Sequence, residues 1–242
     1  VTSDDFTISV VIPVKDDAGL LEHCLRALSA QTLRPDEVIV VDNASTDRTP
    51  EVARRWPVVY VREELPGIAA AASTGYDHAH GTLIARIDAD SVPHPNWLAD
   101  VVQLFRDDPG LAAVTGPGTF DALPTPLARL ADLGYMRAYF RLMGRAAGKP
   151  PLFGSNFAMR RRVWLAAREH VHRHDPNVHD DLDLTFAFPP GARIAVDDRL
   201  AIHISARPFR SPFSFAKRIW RGMRTVRLGR RAQRRRAREA TG

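Results

Sequence analysis

The sequence predicts a single α/β domain with a mostly parallel, Rossmann-like central sheet flanked by helices, followed by a basic amphipathic C-terminal helix. Three observations predict it. Short β-rich runs alternate with helical stretches through the first 120 residues, as strands joined by crossover helices do. A chain of 242 residues that is 45% hydrophobic can bury one full core but is too short for two large ones. The positive charge is concentrated at one end, apart from the alternating region.

Residues 8–13 are an apolar run of strand length, and residues 18–30 place Leu21, Cys24, Leu25 and Leu28 on one helix face. Residues 37–42 read as a second strand ending on Asp42. Residues 47–55 read as a helix with Thr49-Pro50 near its start, where proline is tolerated. Residues 58–61 are a third short strand, 67–80 an Ala-rich helix, and 82–88 a fourth strand ending on Asp88. A helix over 96–107 and a strand over 111–115 follow. The second half is less regular: a helix over 127–145, a loop signal at Gly148-Lys149-Pro150-Pro151, and short strands at 193–196 and 200–205.

Parallel sheets bind ligands where the carboxyl ends of their strands turn out into loops. Here those ends carry 13–17, 42–47 and 88–91, three acid-bearing loops on one edge. In Asp88-Ala89-Asp90 two carboxylates follow a buried strand, the oxygen donors a hard divalent cation takes alongside substrate phosphates. Asp-x-Asp also arises by chance in solvated turns, and its place at a strand end is what gives it weight.

The formal net charge of +6 is an average over two unlike parts. Residues 210–242 hold 12 Lys/Arg and one acid, which leaves 22 basic and 27 acidic residues, a net −5, in 1–209. A nucleic-acid-binding core is not what this balance suggests, so no specific nucleic-acid partner is expected. Within the tail, Phe213, Ala216, Ile219, Trp220, Met223 and Val226 fall on one helical face and Lys217, Arg218, Arg221 and Arg224 on the other. That pattern suits a helix lying on an anionic membrane through residues 213–238. The alternative is packing of the apolar face on the domain; both hold if 209–215 docks and 227–238 reaches lipid. Cys24 is the single cysteine, and the longest apolar runs are strand-sized. The expectation is a cytoplasmic protein, peripheral on the inner face of the cell membrane.

Ser9-Val10-Val11-Ile12-Pro13-Val14-Lys15-Asp16-Asp17, then Glu37 through Asp47, then Pro66-Gly67-Ile68-Ala69-Ala70-Ala71, Ala79-His80-Gly81, and the run from Ile87 to Trp97-Leu98 occur in a recognisable order and spacing. Together, over roughly residues 8 to 98, they resemble the N-terminal half of family 2 glycosyltransferases, which have the GT-A fold of the nucleotide-diphospho-sugar transferase superfamily. The resemblance implies a nucleotide-sugar donor, UDP-sugar favoured, and a Mn²⁺ or Mg²⁺ cofactor. Pro13, Val14, Asp16 and Gly67 would bind the donor, and Asp42 would accept a hydrogen bond from the base. Asp88 would face the ribose or metal, Asp90 would ligate the ion, and Ala89 between them would belong to the donor-binding turn. One departure is Thr74, where the family often has Asn. On this reading residues 1–120 form the nucleotide-sugar half, 121–209 the acceptor half, and 210–242 the tail.

The resemblance continues more weakly. Gly154-Ser155-Asn156 is similar to the segment beside the acceptor, and His179-Asp180-Asp181-Leu182-Asp183 resembles the acidic motif of inverting members. Asp181 would then be the base that deprotonates an acceptor hydroxyl, with Asp180 on the acceptor side; otherwise these acids cap a helix beginning near Leu182. His203 alternates with apolar neighbours and would either complete the metal shell or pack as an ordinary strand histidine. His170, His172, His174 and His179 lack helical metal-site spacing and read as a mobile acceptor-side loop, with zinc the lesser alternative. The tail directs the acceptor towards a lipid-linked or cell-envelope molecule. A sugar-phosphate nucleotidyltransferase is the competing enzyme class, but residues 12–19 carry no Gly-rich phosphate loop. An inactive binding protein should show broken acids, and Asp88, Asp90 and Asp181 are present.

Overall fold

A computed structural model describes residues 6–120, 126–204 and 212–239. Its first half follows the alternating pattern: β1 (Ile8–Val14), α1 (Ala18–Ser29), β2 (Glu37–Asp42), α2 (Thr49–Arg54), β3 (Val59–Arg62), α3 (Ile68–His78) and β4 (Leu83–Ile87). Then come β5 (Ser91–Val92), α4 (Trp97–Asp107), β6 (Leu111–Thr115), β7 (Gly118–Phe120) and α5 (Pro126–Ala147). The remainder is β8 (Asn156–Arg160), α6 (Arg161–Ala167), α7 (Asp180–Ala187), β9 (Arg193–Val196), β10 (Ile202–Ile204) and α8 (Pro212–Glu239).

The main sheet has the order β3-β2-β1-β4-β8-β6-β9. β8 runs antiparallel to β4 and β6, and the other neighbouring pairs are parallel. The sequence reading took Asn156 and its neighbours as an acceptor segment and missed that strand. Strand alternation divides the core in two. Val10, Ile12, Val40, Leu83 and Ala85 face α1 and α4 through Leu21, Leu25, Trp97 and Phe105. Val11, Ile39, Val41, Ile84 and Phe157 face α3, α6 and α7 through Ala72, Tyr76, Trp164 and Leu184. Small residues let α3 approach closely: a Cβ on Gly75 would fall 2.3 Å from a Val11 methyl carbon. A second sheet, β5-β10-β7, sits beside the turn after β4.

This topology opens a crevice. β2 and β3 lie on one side of β1 and β4 on the other, so the strand order switches direction between β1 and β4. Pro13 carries no N–H, and the β1–β4 ladder ends at Val11 paired with Arg86. β8, being reversed, brings the segment that precedes it to the same edge, where Asn156 pairs with Ile87.

The tail is joined to the domain. α8 packs across α5 and α7, with Val226 against a small cluster of Ala147, Leu182 and Phe186. Arg236 donates to the Phe186 and Ala187 carbonyls (2.5 and 3.0 Å), supplying donors that the C-terminus of α7 lacks. The alternative of the whole apolar face packing on the domain does not hold: Val226 turns inward with the buried Thr225 and Gly229, whereas Ile219, Trp220 and Met223 are 48%, 48% and 52% exposed. The side chains of residues 209–217, which include Phe213, Ala216, Lys217 and the expected docking segment, lie outside the described residues, as does Ser205 of the expected last strand. Among the described residues no helix is long and apolar enough to cross a membrane.

Candidate active site

The carboxyl edge of the sheet is built by side chains that tie its loops together. Asp16, at φ +50°, accepts from the Thr46 N–H at 2.7 Å, while its own N–H donates to Ser45 Oγ at 2.9 Å. The Thr46 N–H, opposed by slight desolvation, lowers the Asp16 carboxyl below its ordinary value. α1 lacks a side-chain cap of its own and takes one from the neighbouring loop, where Asp47 Oδ2 accepts from the Ala18 N–H at 3.0 Å. Asp42 is fully buried; its Oδ1 accepts from the Ser45 N–H and its Oδ2 from Tyr60 Oη at 2.7 Å. Asn43 binds the Glu63 and Leu65 carbonyls and accepts from the Gly67 N–H, fixing Gly67 at φ +124°, where a side chain would be strained. Pro13 and Val14 are buried at the end of β1. Thr74, the departure from the expected Asn, donates to Glu63.

Beyond the crevice lies a cleft of about 360 Å³ lined by Ile68, Arg86, Asp88, residues 153–155 and 178–181, Arg218 and Arg221. Arg86, with a side chain only 2% exposed, organises it. The guanidinium reaches Asp88 Oδ1 at 3.0 Å, Asp180 Oδ2 at shorter range and Tyr76 Oη at 3.3 Å. Burial alone would lower the Arg86 pKa, but Asp180, Tyr76 and Asp88 together raise it and keep the group charged. Asp88 Oδ2 accepts from Ser155 Oγ at 2.6 Å.

Asp181 stands at the start of α7 and is 2% exposed. Its Oδ2 accepts from the Gly154 N–H at 2.7 Å, and its Oδ1 from the Leu182 N–H at 2.6 Å, with His179 Nδ1 at 2.5 Å. Burial would raise the Asp181 carboxyl; His179, Arg86 and the Gly154 N–H outweigh it and hold the group well below the usual carboxylate range. Gly154 is a close approach, since a Cβ there would sit 3.1 Å from Asp181 Oδ2.

The expected residues thus divide. Asp88, Gly154, Ser155, Asp180 and Asp181 meet in the cleft, while Pro13, Val14 and Asp42 stand at the carboxyl ends of β1 and β2, and Asp16 and Gly67 in the loops after β1 and β3. Ala89 is buried beneath the turn, and Asp90 is half-buried on it. Asn156, expected beside the acceptor, is fully buried and instead braces the wall from behind, accepting from Trp97 Nε1 at 2.9 Å and donating to the Leu200 carbonyl. His203 is exposed on β10, in register with Val92, and its Nδ1 is 3.1 Å from Thr119 Oγ1. Among the described residues, the cluster whose ligand atoms lie within 4.8 Å of one another is His179, Asp180 and Asp181, with no such triad from Asp88, Asp90 and His203. The Asp88-Ala89-Asp90 turn fits a divalent cation in donor type: two carboxylates, with room in the cleft for phosphate oxygens to complete the shell. The histidines expected in a mobile loop are in part anchored, His172 to the buried Asp183 at 2.8 Å and His179 to Asp181.

Sequence reasoning missed Arg86; it named His179 only within the acidic motif and the acceptor-side loop, and Arg218 and Arg221 only as part of the tail's cationic face, not as walls of this cleft. A charged residue inside the apolar strand Leu83-Ile84-Ala85-Arg86-Ile87 was a usable signal, because a buried cation needs carboxylate partners.

A profile of the family described as Glycosyl transferase family 2 matches residues 9–168. The chain belongs to glycosyl transferase family 2. Among its curated relatives, the glycosyltransferase AglE of Haloferax volcanii is 34% identical over 119 residues, covering 46% of this chain and 36% of AglE. This family 2 chain thus matches only about a third of the length of that relative. Among solved structures, S. aureus TarS 1–349 in complex with UDP is similar with a TM-score of 0.66 and 16% identity, over 92% of this chain and 65% of that one. The mannosyltransferase PcManGT of Pyrobaculum calidifontis, in complex with GDP-Man and Mn²⁺, gives a TM-score of 0.62 and 23% identity over 98% of this chain and 76% of the other. The shared architecture is the GT-A fold.

Proposed function

We propose that this family 2 chain transfers a sugar from a nucleotide-diphosphate donor to an acceptor hydroxyl with inversion at the anomeric carbon. The observation that carries the reading is Asp181, ionised and lining the same cleft as Asp88. An ionised carboxylate offers about four lone-pair positions. Three of those on Asp181 are engaged by His179, Leu182 and Gly154, which leaves one on Oδ2 for a hydroxyl. The acceptor oxygen attacks the anomeric carbon opposite the diphosphate, and its proton passes to Asp181 as the new C–O bond forms. The bond from the anomeric carbon to the phosphate oxygen breaks, and its electrons leave on the diphosphate.

Asp88 and Asp90 would hold Mn²⁺ or Mg²⁺, with His203 as a candidate further ligand. Such an ion supplies charge that stabilises the departing diphosphate, so no side chain need protonate it. Asp42 would accept the imide N–H of uracil, with Pro13, Val14, Asp16 and Gly67 around the nucleotide; UDP-sugars are the proposed donors. The exposed Ile219, Trp220 and Met223, flanked by exposed Arg227, Arg230 and Arg231, favour an anionic membrane surface and a lipid-linked or cell-envelope acceptor.

The test is transfer or hydrolysis across a panel of UDP- and GDP-sugars with Mn²⁺, with the product anomer read by NMR. Asp181→Asn should abolish turnover and leave UDP–Mn²⁺ affinity intact, whereas Asp90→Ala should weaken that affinity. Near-normal turnover in Asp181→Asn, or a retained anomer, refutes the mechanism. The short His179–Asp181 contact favours one second reading, in which the imidazole is the base and Asp181 orients it. His179→Gln separates them: most turnover survives if Asp181 is the base and none if the imidazole is.

A further inference from the structure

Charge in the cleft is settled on one side only. On the β4 and α7 walls, Arg86 holds Asp88 and Asp180, and Asp181 is held by His179 and two main-chain N–H groups. On the opposite wall Arg218 and Arg221 line the same space, and neither is engaged by a described side chain. Among the described residues the Nε atoms of Arg86 and Arg221 are buried with no hydrogen-bond partner, that of Arg86 on a guanidinium already paired through its other nitrogens. Other arginines of α8 are occupied: Arg224 pairs with Asp175, and Arg230 and Arg236 donate to main-chain carbonyls. A buried donor left unmade is costly, so an orphan of this kind calls for a ligand.

We propose that Arg218 and Arg221 form a phosphate-binding pair by which α8 closes the cleft over its substrate. Three residues apart on a helix, they project from one face, and each guanidinium offers a fork that matches phosphate oxygens. They are held in place, because Thr225 Oγ1 accepts from the His179 N–H at 2.8 Å and Gly229 packs on the Phe186 ring. The tail therefore contributes a wall of the site as well as an outward surface. The phosphate is that of the donor's diphosphate or one carried by the acceptor; naming either source rests on the sugar-transfer reading, while the anion site itself does not.

The experiment is calorimetric titration of the full chain and of Arg218→Gln/Arg221→Gln with UDP, uridine, inorganic pyrophosphate and glycerol 3-phosphate, all with Mn²⁺. Glutamine keeps helix propensity, and Arg218→Lys/Arg221→Lys restores charge without the fork, so a folded variant is at hand for comparison. At least tenfold weaker UDP and pyrophosphate binding with uridine unchanged supports the pair and assigns it to the donor. Unchanged UDP with at least tenfold weaker glycerol 3-phosphate binding supports it and assigns the acceptor. Unchanged affinity for UDP, pyrophosphate and glycerol 3-phosphate overturns it. If the native chain binds pyrophosphate through these arginines but no nucleoside diphosphate, the sugar-transfer reading fails and the anion site stands.

Discussion

Replacing Arg86 by Met should cost about 3 kcal/mol of stability. The side chain is 2% exposed, and its partners Asp180 and Asp88 are 13% and 28% exposed. Removing one member of a buried ion pair costs about 3–5 kcal/mol, because the other charge is left behind. Water reaches both carboxylates in part, which places this case at the lower end of the range. Met retains most of the apolar stem, so the loss isolates the guanidinium. For a chain of this size, about 2–4 °C accompanies each kcal/mol, giving a Tm lower by about 6–12 °C. Urea unfolding followed by the fluorescence of the buried Trp97 and Trp164 reads the same quantity independently. Removing the stranded charge as well, in Arg86→Met/Asp180→Asn, should recover at least about 1 kcal/mol, a coupling a double-mutant cycle measures. If Arg86→Met lies within about 1 kcal/mol of the native chain, or the two changes are additive, the network does not hold the halves of the site together.

Gly229→Ala should wedge α8 from α7, since the new Cβ would fall 2.2 Å from Phe186 Cγ; a loss of about 1–3 kcal/mol is expected, with hydrogen-exchange protection falling in α8 but not in β1 or β4. Unchanged protection of α8 would contradict the docking described. His172 should make stability depend on pH: its hydrogen bond to Asp183, only partly opposed by burial, raises its pKa above 6.5. The folded state binds that proton more tightly than the unfolded chain, so the contribution is complete below about pH 6.5 and is lost as pH rises through the folded value. Comparing the decline of Tm with pH in the native chain and in His172→Gln, which should be flatter, checks this. Substituting Ile219, Trp220 and Met223 together by Ser should remove sedimentation with anionic phosphatidylglycerol vesicles while leaving Tm nearly unchanged, and the native association should weaken with salt. Equal sedimentation of the two proteins would exclude that surface.

By itself the sequence determined the alternation of strands and helices in residues 8–115 and the acid-bearing edge of the sheet. Both are local: apolar periodicity and turn chemistry are written in consecutive residues, and a parallel sheet has one edge where its strands end. Asp88 and Asp181 could be named because each sits in a short motif. Tertiary structure decided what depends on register between distant segments. β8 was hidden because a strand covered on both sides carries no alternation of apolar and polar residues, and its insertion beside β4 is what puts Ser155 on Asp88. Asn156 could not be turned away from the cleft by reading its neighbours, since its partners Trp97 and Leu200 lie 59 and 44 residues away. The tail offered two faces to sequence reading, and the fit of Gly229 on Phe186 turned Arg218, Arg221 and Arg224 towards the domain and Ile219, Trp220 and Met223 out. Helical periodicity fixes which residues share a face, but only the surface met by the helix fixes which face is buried.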